Sequence, residues 1–267
     1  MVDDSEVDTV RLETISYARL VAQEAPETAK LLKAAESPGF FYLDLQDGPA
    51  GQMLADVQDI YPFTEQYFDQ PHEVKMEHYR EDQERGYKPG EADQNFEIAR
   101  DEIGLGTLAL PPVFKDNLDL LSRVSSVGYA VTRTILTRIS SALKLSPATL
   151  LEDHHRDDEP SNTGLKLYYE PAKERVAEVA ENWHTDGGTL TLLFCDQWGL
   201  YMEEPASKKR GFVPPVPGCA VVNVADSLQR LSRGRLHSCR HQVIQPVDGF
   251  RKRYFVVYFL RPELSSS

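Results

Sequence analysis

The sequence predicts an α+β, mainly β fold in which an N-terminal helical part packs on a β-sandwich or jelly roll. Two observations indicate this. Before residue 164 the apolar residues recur mostly at helical intervals, whereas after it short β-like runs are separated by turns that contain glycine or proline. Helices followed by many short strands are typical of a sheet-rich core that is backed by helices.

The N-terminal region is predicted to contain a strand-like entry before Pro26, three helices and one further strand. A helix begins at Pro26, and Ser37-Pro38-Gly39 ends it. An aromatic, alternating run over residues 39–45 predicts a strand. Residues 50–68 carry apolar side chains at helical intervals, and Asp69 and Pro71 suit the cap and first position of a further short helix. Residues 80–106 are polar and aperiodic, so we interpret them as a loop or lid.

The middle of the chain predicts one long helix. Pro111 and Pro112 open it and Ser146-Pro147 ends it. Its apolar residues are spaced by three and four, as expected for one buried stripe: Val124, Val127, Val131, Ile135, Ile139 and Leu143. Residues 152–163 form a charged loop. The predicted strands that follow cover residues 165–169, 189–194, 200–203, 220–224, 241–245 and 254–260.

Composition excludes several classes of protein. Hydrophobic residues make up 41% of the 267 residues, which is enough for an ordinary core. The net charge of −13, with no basic stripe, argues against a nucleic-acid partner. No apolar run is long enough for a membrane span, and residues 1–10 do not resemble a signal peptide. Three cysteines without Cys-x-x-Cys spacing suit reduced thiols, so we expect a cytoplasmic protein.

The segment 182–194, NWHTDGGTLTLLF, carries the candidate metal site. In an extended strand, His184 and Asp186 would point to the same face. His241, which precedes a later β-like run, would supply the third ligand of a two-histidine, one-carboxylate site for iron(II). The other pair with this spacing, His155 and Asp157, resembles a kinase catalytic loop, but the glycine-rich loop and Asp-Phe-Gly are missing, so we interpret it as a solvated loop.

Arg253 is the candidate co-substrate residue. It opens the last apolar strand, twelve residues after His241. Iron held by three ligands on one face keeps three positions open, of which a 2-oxo acid would take two and oxygen the third. A guanidinium can bind the distal carboxylate of such an acid through paired hydrogen bonds.

Residues 39–263 resemble the iron(II)- and 2-oxoglutarate-dependent dioxygenases of the isopenicillin N synthase-like family, especially its fungal members. The similarity lies in GFFYLDL and YFDQPHEVKMEHY near the start, and in NWHTDGGTLTLLFCDQWGLYMEE, FVPPVPGCAVVNVADSLQRLSRGRLHSCRHQVIQP and RYFVVYFLRPE later. The resemblance implies a double-stranded β-helix, the jelly-roll core of that family, backed by the long helix. It also implies one domain over 1–267, with an N-terminal region (1–110), a backing helix and loop (111–163) and the core (164–263).

The resemblance also implies roles for single residues. His184, Asp186 and His241 match the family's iron ligands, and His241 is preferred over His237 because it follows the small-residue run. Arg253, rather than Arg251, matches the residue that holds 2-oxoglutarate. Tyr168 and Tyr169 both fall where the family often places a tyrosine that contacts this co-substrate, and the choice between them stays open.

One departure from the family pattern concerns co-substrate binding. The family usually has a serine two residues after the arginine, where this chain has Phe255. Loss of a hydrogen bond to a charged group is worth about 1.5–3 kcal/mol, so 2-oxoglutarate binding is expected to weaken unless another donor substitutes. Phe255, Tyr201 and Phe194 are candidates for the substrate pocket, although each also suits the core of a barrel. Trp183 suits the pocket wall and the core equally.

The resemblance predicts an oxygenase that uses iron(II), 2-oxoglutarate and O2 to hydroxylate, desaturate or rearrange a small, apolar secondary metabolite. Two alternatives remain. One is an iron-dependent oxidase on the same fold that does not use 2-oxoglutarate, a hypothesis that Phe255 favours and Arg253 opposes. The other is a non-catalytic metal- or ligand-binding jelly roll, since two histidines and a carboxylate also suit zinc.

Overall fold

The computed structural model describes residues 8–81, 84–90, 93–107, 109–172, 182–244 and 252–264. Its helices are α1 (Tyr17–Val21), α2 (Ala25–Glu36), α3 (Gly51–Phe68), α4 (His72–Met76), α5 (Arg100–Leu105), α6 (Pro112–Lys115), α7 (Leu118–Ala142) and α8 (Asp226–Leu231). Its strands are β1 (Thr14–Ser16), β2 (Phe40–Asp44), β3 (Gly86–Lys88), β4 (Gln94–Ala99), β5 (Gly164–Glu170), β6 (Leu190–Phe194), β7 (Leu200–Glu203), β8 (Arg210–Phe212), β9 (Cys219–Val224), β10 (His241–Val243) and β11 (Arg253–Leu260).

Two sheets form the core. The larger has eight strands in the order β1-β2-β9-β6-β11-β5-β4-β3, and the smaller has three in the order β10-β7-β8. All pairings between these described strands are antiparallel except that of β1 with β2. The larger sheet therefore combines strands from the N-terminal region with strands from the C-terminal half of the chain.

The alternation of side chains along the strands divides the apolar residues between two layers. In β2, Phe41 and Leu43 pack into a large core with the helices, whereas Phe40 and Tyr42 pack into a second core with Leu200 and Met202 of β7. Successive residues of a strand point to opposite faces, so one sheet serves both layers. The molecule is therefore layered as helices, larger sheet and smaller sheet, and the second core lies between the sheets.

Helix α7 covers the outer face of the larger sheet. Its buried residues include Val124, Val131, Ile135 and Ile139, which belong to the predicted stripe. The predicted start of this helix is wrong by several residues, because Pro111 and Pro112 lead into the short α6 instead. Helix α7 begins directly after Asn117, whose Nδ2 donates to the carbonyl of Val113 at 2.8 Å.

The prediction of a loop over residues 80–106 is also wrong, because β3, β4 and α5 lie there. The reason is a buried charge in the strand pattern. Glu97 of β4 is 1% exposed and forms ion pairs with Lys166 of β5 and Arg261. A charged residue at a core position hides the apolar alternation by which a strand is recognised. Strand β8 and helix α8 were not predicted either, and the predicted end of β10 at Gln245 lies outside the described residues.

Among the described residues, no helix combines the length and the apolar character that a membrane crossing requires.

Candidate metal centre

His184 and His241 face each other across two extended segments at the edge of the smaller sheet. The backbone nitrogen of each donates to the carbonyl of the other, at 3.0 Å from His184 and 2.9 Å from His241. Residues that exchange both hydrogen bonds in an antiparallel pair have side chains on the same face. The two imidazole rings accordingly lie 4.5 Å apart, measured between their centroids.

Asp186 completes the cluster. Its Oδ1 lies 3.8 Å from His184 Nε2 and 3.7 Å from His241 Nε2. Its Oδ2 accepts hydrogen bonds from Thr191 Oγ1 at 2.6 Å and from Asn223 Nδ2 at 2.9 Å. The two donors, from β6 and β9, therefore fix the carboxylate so that one oxygen is held by protein and the other faces the histidines.

The hydrogen bonds of the histidines fix which ring nitrogen is free. His184 Nδ1 lies 2.7 Å from the carbonyl of Asn182, and His241 Nδ1 lies 3.1 Å from the carbonyl of Cys239. A carbonyl can only accept, so each Nδ1 carries a proton and each Nε2 is the ring nitrogen directed towards Asp186. A backbone acceptor on the other ring nitrogen is the usual way in which proteins orient a metal-binding histidine.

The charges of the cluster suit a cation. Burial alone would raise the pKa of Asp186, but the attraction of His241 and the hydrogen bonds from Thr191 and Asn223 outweigh it, so the pKa lies below its ordinary value. Burial lowers the pKa of His241, against the opposing attraction of Asp186. At neutral pH the cluster therefore has an ionised carboxylate beside a neutral imidazole, which are the protonation states that bind a metal.

The geometry fits one metal ion. The candidate ligand atoms of the three residues all lie within 4.8 Å of one another. Two ligands that are each about 2.0–2.2 Å from a divalent metal are at most about 4.4 Å apart, and both histidine–aspartate separations fall below this limit. The side chain of His184 is 46% exposed and that of His241 is 7% exposed, so the cluster has one accessible side.

A cavity of about 250 Å³ opens from the cluster between the two sheets. Most of its wall is apolar. Its polar side chains include the three residues of the cluster together with Arg253 and Glu170. The apolar lining includes Phe40, Leu193, Leu200, Val213, Pro215, Val221, Val243, Phe255, Val257 and Phe259. The two sheets thus position the candidate metal ligands and the predicted co-substrate arginine at the same cavity.

The guanidinium of Arg253 already contacts a carboxylate and a carbonyl of the protein. Its Nε donates to Glu170 Oε2 at 2.7 Å, its Nη2 contacts the same carboxylate, and its Nη1 donates to the carbonyl of Trp198. Arg253 is 2% exposed and Glu170 is 5% exposed. The candidate metal ligands thus fit an iron ion, whereas the guanidinium predicted to bind the distal carboxylate of 2-oxoglutarate already pairs with a carboxylate of the protein.

The two tyrosines left open by the sequence lie on opposite faces of β5. Tyr168 lines the cavity and stacks on Phe255, with 4.6 Å between ring centroids and 10° between planes. Burial raises the pKa of Tyr168 to about 12, so its hydroxyl is protonated at neutral pH. Tyr169 packs instead on Phe68 of α3 and on Tyr254. Of the two, Tyr168 is therefore the one that lies at the cavity.

The other predicted pocket residues divide between the cavity and its surroundings. Phe255 lines the cavity, but Phe194 does not: it is 4% exposed and belongs to the core between the larger sheet and the helices. Tyr201 lies outside the cavity wall as well, packed between Trp183 and Phe212. The alternation of β6 and β7 turns Phe194 and Tyr201 away from this cavity, which agrees with the alternative of a core position for each.

Of the residues considered as alternatives, His237 lies apart from the cluster. Its backbone nitrogen donates to the carbonyl of Ala35 at the end of α2, and His237 does not line the cavity. The cluster contains His241 instead. Arg251, the alternative to Arg253, lies outside the described residues.

Among the polar residues of the site that were not found from the sequence, three contact Asp186 or Arg253: Glu170, Thr191 and Asn223. Thr191 follows Asp186 by five residues and could have been noticed as a polar position in an apolar strand. Glu170 and Asn223 come from strands that pair with β11 and β6, so their proximity depends on sheet order and register. No local sequence signal marks them.

Comparison with sequence families gives two matches. Residues 162–262 match the 2OG-Fe(II) oxygenase superfamily, and residues 9–107 match the non-haem dioxygenase in morphine synthesis N-terminal family. The first match contains the three residues of the cluster and Arg253.

Similar proteins of fungi cover nearly the whole chain. The 2-oxoglutarate-dependent dioxygenase frbH of Dothideomycetidae sp. (strain 11243) is 37% identical, over 98% of this chain and 85% of the relative. The 2-oxoglutarate-dependent dioxygenase gloE of Glarea lozoyensis is 33% identical, over 97% of this chain and 81% of the relative.

Solved structures confirm the predicted fold class. A full-length Neurospora crassa protein crystallised in complex with alpha-KG has a TM-score of 0.81 at 21% identity, over 96% of this chain and 88% of that one. The dioxygenase for auxin oxidation in rice has a TM-score of 0.75 at 24% identity, over 96% of this chain and 84% of that one.

Proposed function

Because this chain belongs to the 2OG-Fe(II) oxygenase superfamily, whose members use iron(II), 2-oxoglutarate and O2, we propose that it oxidises a small, apolar secondary metabolite in the cavity between its two sheets. The 2-oxoglutarate-dependent dioxygenase activity is that of the family. The proposal concerns the substrate class and the residues that carry the reaction.

We assign His184, Asp186 and His241 as the iron ligands. The single observation that carries this assignment is their convergence at the end of one apolar cavity, with both Nε2 atoms and one carboxylate oxygen directed to a common point. The bound iron would supply the activation of oxygen. The protein supplies a fixed ligand geometry and leaves the opposite side of the ion to the cavity.

The apolar wall supports a substrate that is itself apolar. Phe40 and Val221 of the larger sheet and Leu200 and Val213 of the opposite wall contribute hydrocarbon to the cavity. Such a lining binds an apolar molecule by removing its surface from water and excludes water from the reaction site. The assignment to secondary metabolism is supported by the similarity to fungal dioxygenases.

A cytoplasmic location is also part of the proposal. Its support is that Cys195, Cys219 and Cys239 are all free thiols in the structure.

The test combines metal binding with turnover. Wild type, His184→Ala, Asp186→Ala and the matched control His237→Ala are titrated with iron(II) under anaerobic conditions. They are then assayed for succinate formation and oxygen uptake with a panel of small apolar compounds. We expect the first two variants to lose iron binding and succinate formation, and the control to keep both. Iron binding and turnover by His184→Ala and Asp186→Ala at wild-type levels would refute the assignment.

A further inference from the structure

The pair formed by Glu170 and Arg253 lies at the position where the co-substrate is expected. The two residues are direct partners in the antiparallel pairing of β5 with β11, so their side chains leave the sheet on the same side. Both line the cavity that contains His184, Asp186 and His241. The pair is therefore part of the site and not a distant structural ion pair.

Two nitrogens of the guanidinium, Nε and Nη1, donate hydrogen bonds to the protein, and Nη2 makes only an ion-pair contact. Nε and Nη2 contact the Glu170 carboxylate, and Nη1 donates to the carbonyl of Trp198. The backbone of Gly199 adds a steric limit, because a Cβ built on this glycine would overlap the guanidinium. Arg253 is thus held tightly between β5 and the segment before β7.

Among the described residues that line the cavity, Arg253 is the only arginine or lysine. Phe255, two residues later, turns a ring to it, with the guanidinium carbon 5.8 Å from the ring centroid, and Tyr168 stacks on that ring. A dicarboxylate that enters would bring its distal carboxylate to a guanidinium whose charge Glu170 already balances. In one arrangement, the carboxylate of Glu170 and the distal carboxylate of the acid share Arg253. In the other, Glu170 loses its ion pair with Arg253 although Glu170 is buried. Both arrangements cost free energy.

We propose that Glu170 is an internal competitor of the co-substrate: its carboxylate occupies Arg253 in place of the distal carboxylate of 2-oxoglutarate and thereby lowers the affinity and selectivity for that acid. This inference rests on the proposed function, since it concerns the same site. Glu170 is a specificity-determining residue in this scheme.

The proposal predicts that Glu170 affects the dissociation constants of two 2-oxo acids differently. 2-Oxopentanoate has the same chelating end as 2-oxoglutarate but a methyl group where 2-oxoglutarate has its distal carboxylate. Competition by Glu170 acts on the distal carboxylate alone. The ratio of the two dissociation constants therefore reports the effect of Glu170, whereas changes in iron binding or in folding alter both constants together.

The experiment measures binding of each acid by calorimetry to the iron(II)-loaded protein without oxygen. In wild type we expect a preference for 2-oxoglutarate of less than about ten-fold, or about 1.4 kcal/mol. In Glu170→Gln we expect 2-oxoglutarate to bind about ten-fold or more tightly than in wild type, with 2-oxopentanoate unchanged. The matched control is Glu263→Gln, which removes a buried carboxylate that pairs with Arg156 and does not line the cavity. It should leave both constants unchanged.

A second variant tests the proposal in a protein that retains no unpaired buried charge at this position. The double substitution Glu170→Met with Arg253→Met replaces the whole pair by apolar side chains, a change that buried ion pairs often tolerate. We expect this protein to bind both acids equally.

Two results would overturn the inference. One is a 2-oxoglutarate affinity in Glu170→Gln equal to that of wild type. The other is an affinity that falls for 2-oxoglutarate and not for 2-oxopentanoate, which would show that Glu170 positions Arg253 for the co-substrate. Failure of iron-loaded wild type and Glu170→Gln alike to bind either acid would instead refute the proposed function.

Discussion

Replacing Thr191 by valine removes one hydroxyl group and nearly preserves the shape of the side chain. That hydroxyl donates to Asp186 Oδ2 at 2.6 Å, and Asn223 also donates to this oxygen, at 2.9 Å. In Thr191→Val, the side-chain amide of Asn223 would be the remaining donor to Asp186 Oδ2 of the two. Asp186 Oδ1 would then spend less time directed at the histidines, so we expect weaker metal binding without loss of any ligand.

The magnitude follows from the bond that is lost. A hydrogen bond to a charged group is worth about 1.5–3 kcal/mol, equal to about 10–150-fold in a binding constant. Removal of an outer hydrogen-bond partner of a metal ligand typically costs about 10–100-fold in metal affinity. The two values agree, and we expect the dissociation constant for iron(II) to rise by about 10–100-fold in Thr191→Val.

The assay is an anaerobic titration with iron(II), followed by thermal unfolding of the metal-free protein. Thr189→Val is the matched control, because its buried hydroxyl lies 2.7 Å from His155 Nε2 and not at Asp186. The control should lose stability and keep its iron affinity. An unchanged iron affinity in Thr191→Val, or an equal loss in the control, would refute the idea that this hydroxyl orients the carboxylate.

Two further predictions concern stability. Burial lowers the pKa of His155 to about 4, below the ordinary 6.5, so the stabilisation from its neutral ring is complete above pH 6.5 and is lost as the pH falls towards 4. The free energy of unfolding should therefore fall by about 3 kcal/mol over this range in urea titrations, and His155→Gln should remove this fall. An equal fall in His155→Gln would show that another group causes it. Gly128 of α7 lies against Tyr258, where an added Cβ would be 2.9 Å from ring carbons, so Gly128→Ala should cost about 1–3 kcal/mol. Gly104→Ala, in open space within α5, should stabilise by about 0.4–1 kcal/mol; the same sign for both alanines in thermal unfolding would contradict the packing argument.

Much of the candidate metal centre could be predicted from the sequence because the spacing of His184 and Asp186 is local. His184 and Asp186 are separated by one residue in an extended segment, and that separation alone directs both to one face. His241 and Arg253 were then located by their positions before and at the start of apolar runs, together with the resemblance to a known family. The structure places all four side chains at one cavity.

The prediction of a loop over residues 80–106 failed because the burial of Glu97 contradicts its chemical type. Glu97 is charged and buried, so β4 did not show the alternation of a strand. Phe194 and Tyr201 are aromatic and near the segments that carry the candidate metal ligands, but strand alternation directs them away from the cavity. The composition of a strand predicts its existence better than it predicts which face meets a ligand.

By itself the sequence predicted the fold class from periodicity, the candidate ligands His184 and Asp186 from their spacing, and the family and His241 from the resemblance of its motifs to a known family. Only the tertiary structure decided that Thr191 and Asn223 hold Asp186, that Tyr168 rather than Tyr169 faces the cavity, and that Glu170 occupies Arg253. These contacts depend on which strands are neighbours and on their register. A shift of the β5–β11 pairing by one residue would place Glu170 and Arg253 on opposite faces of the sheet, so their contact becomes visible only when the two strands are paired.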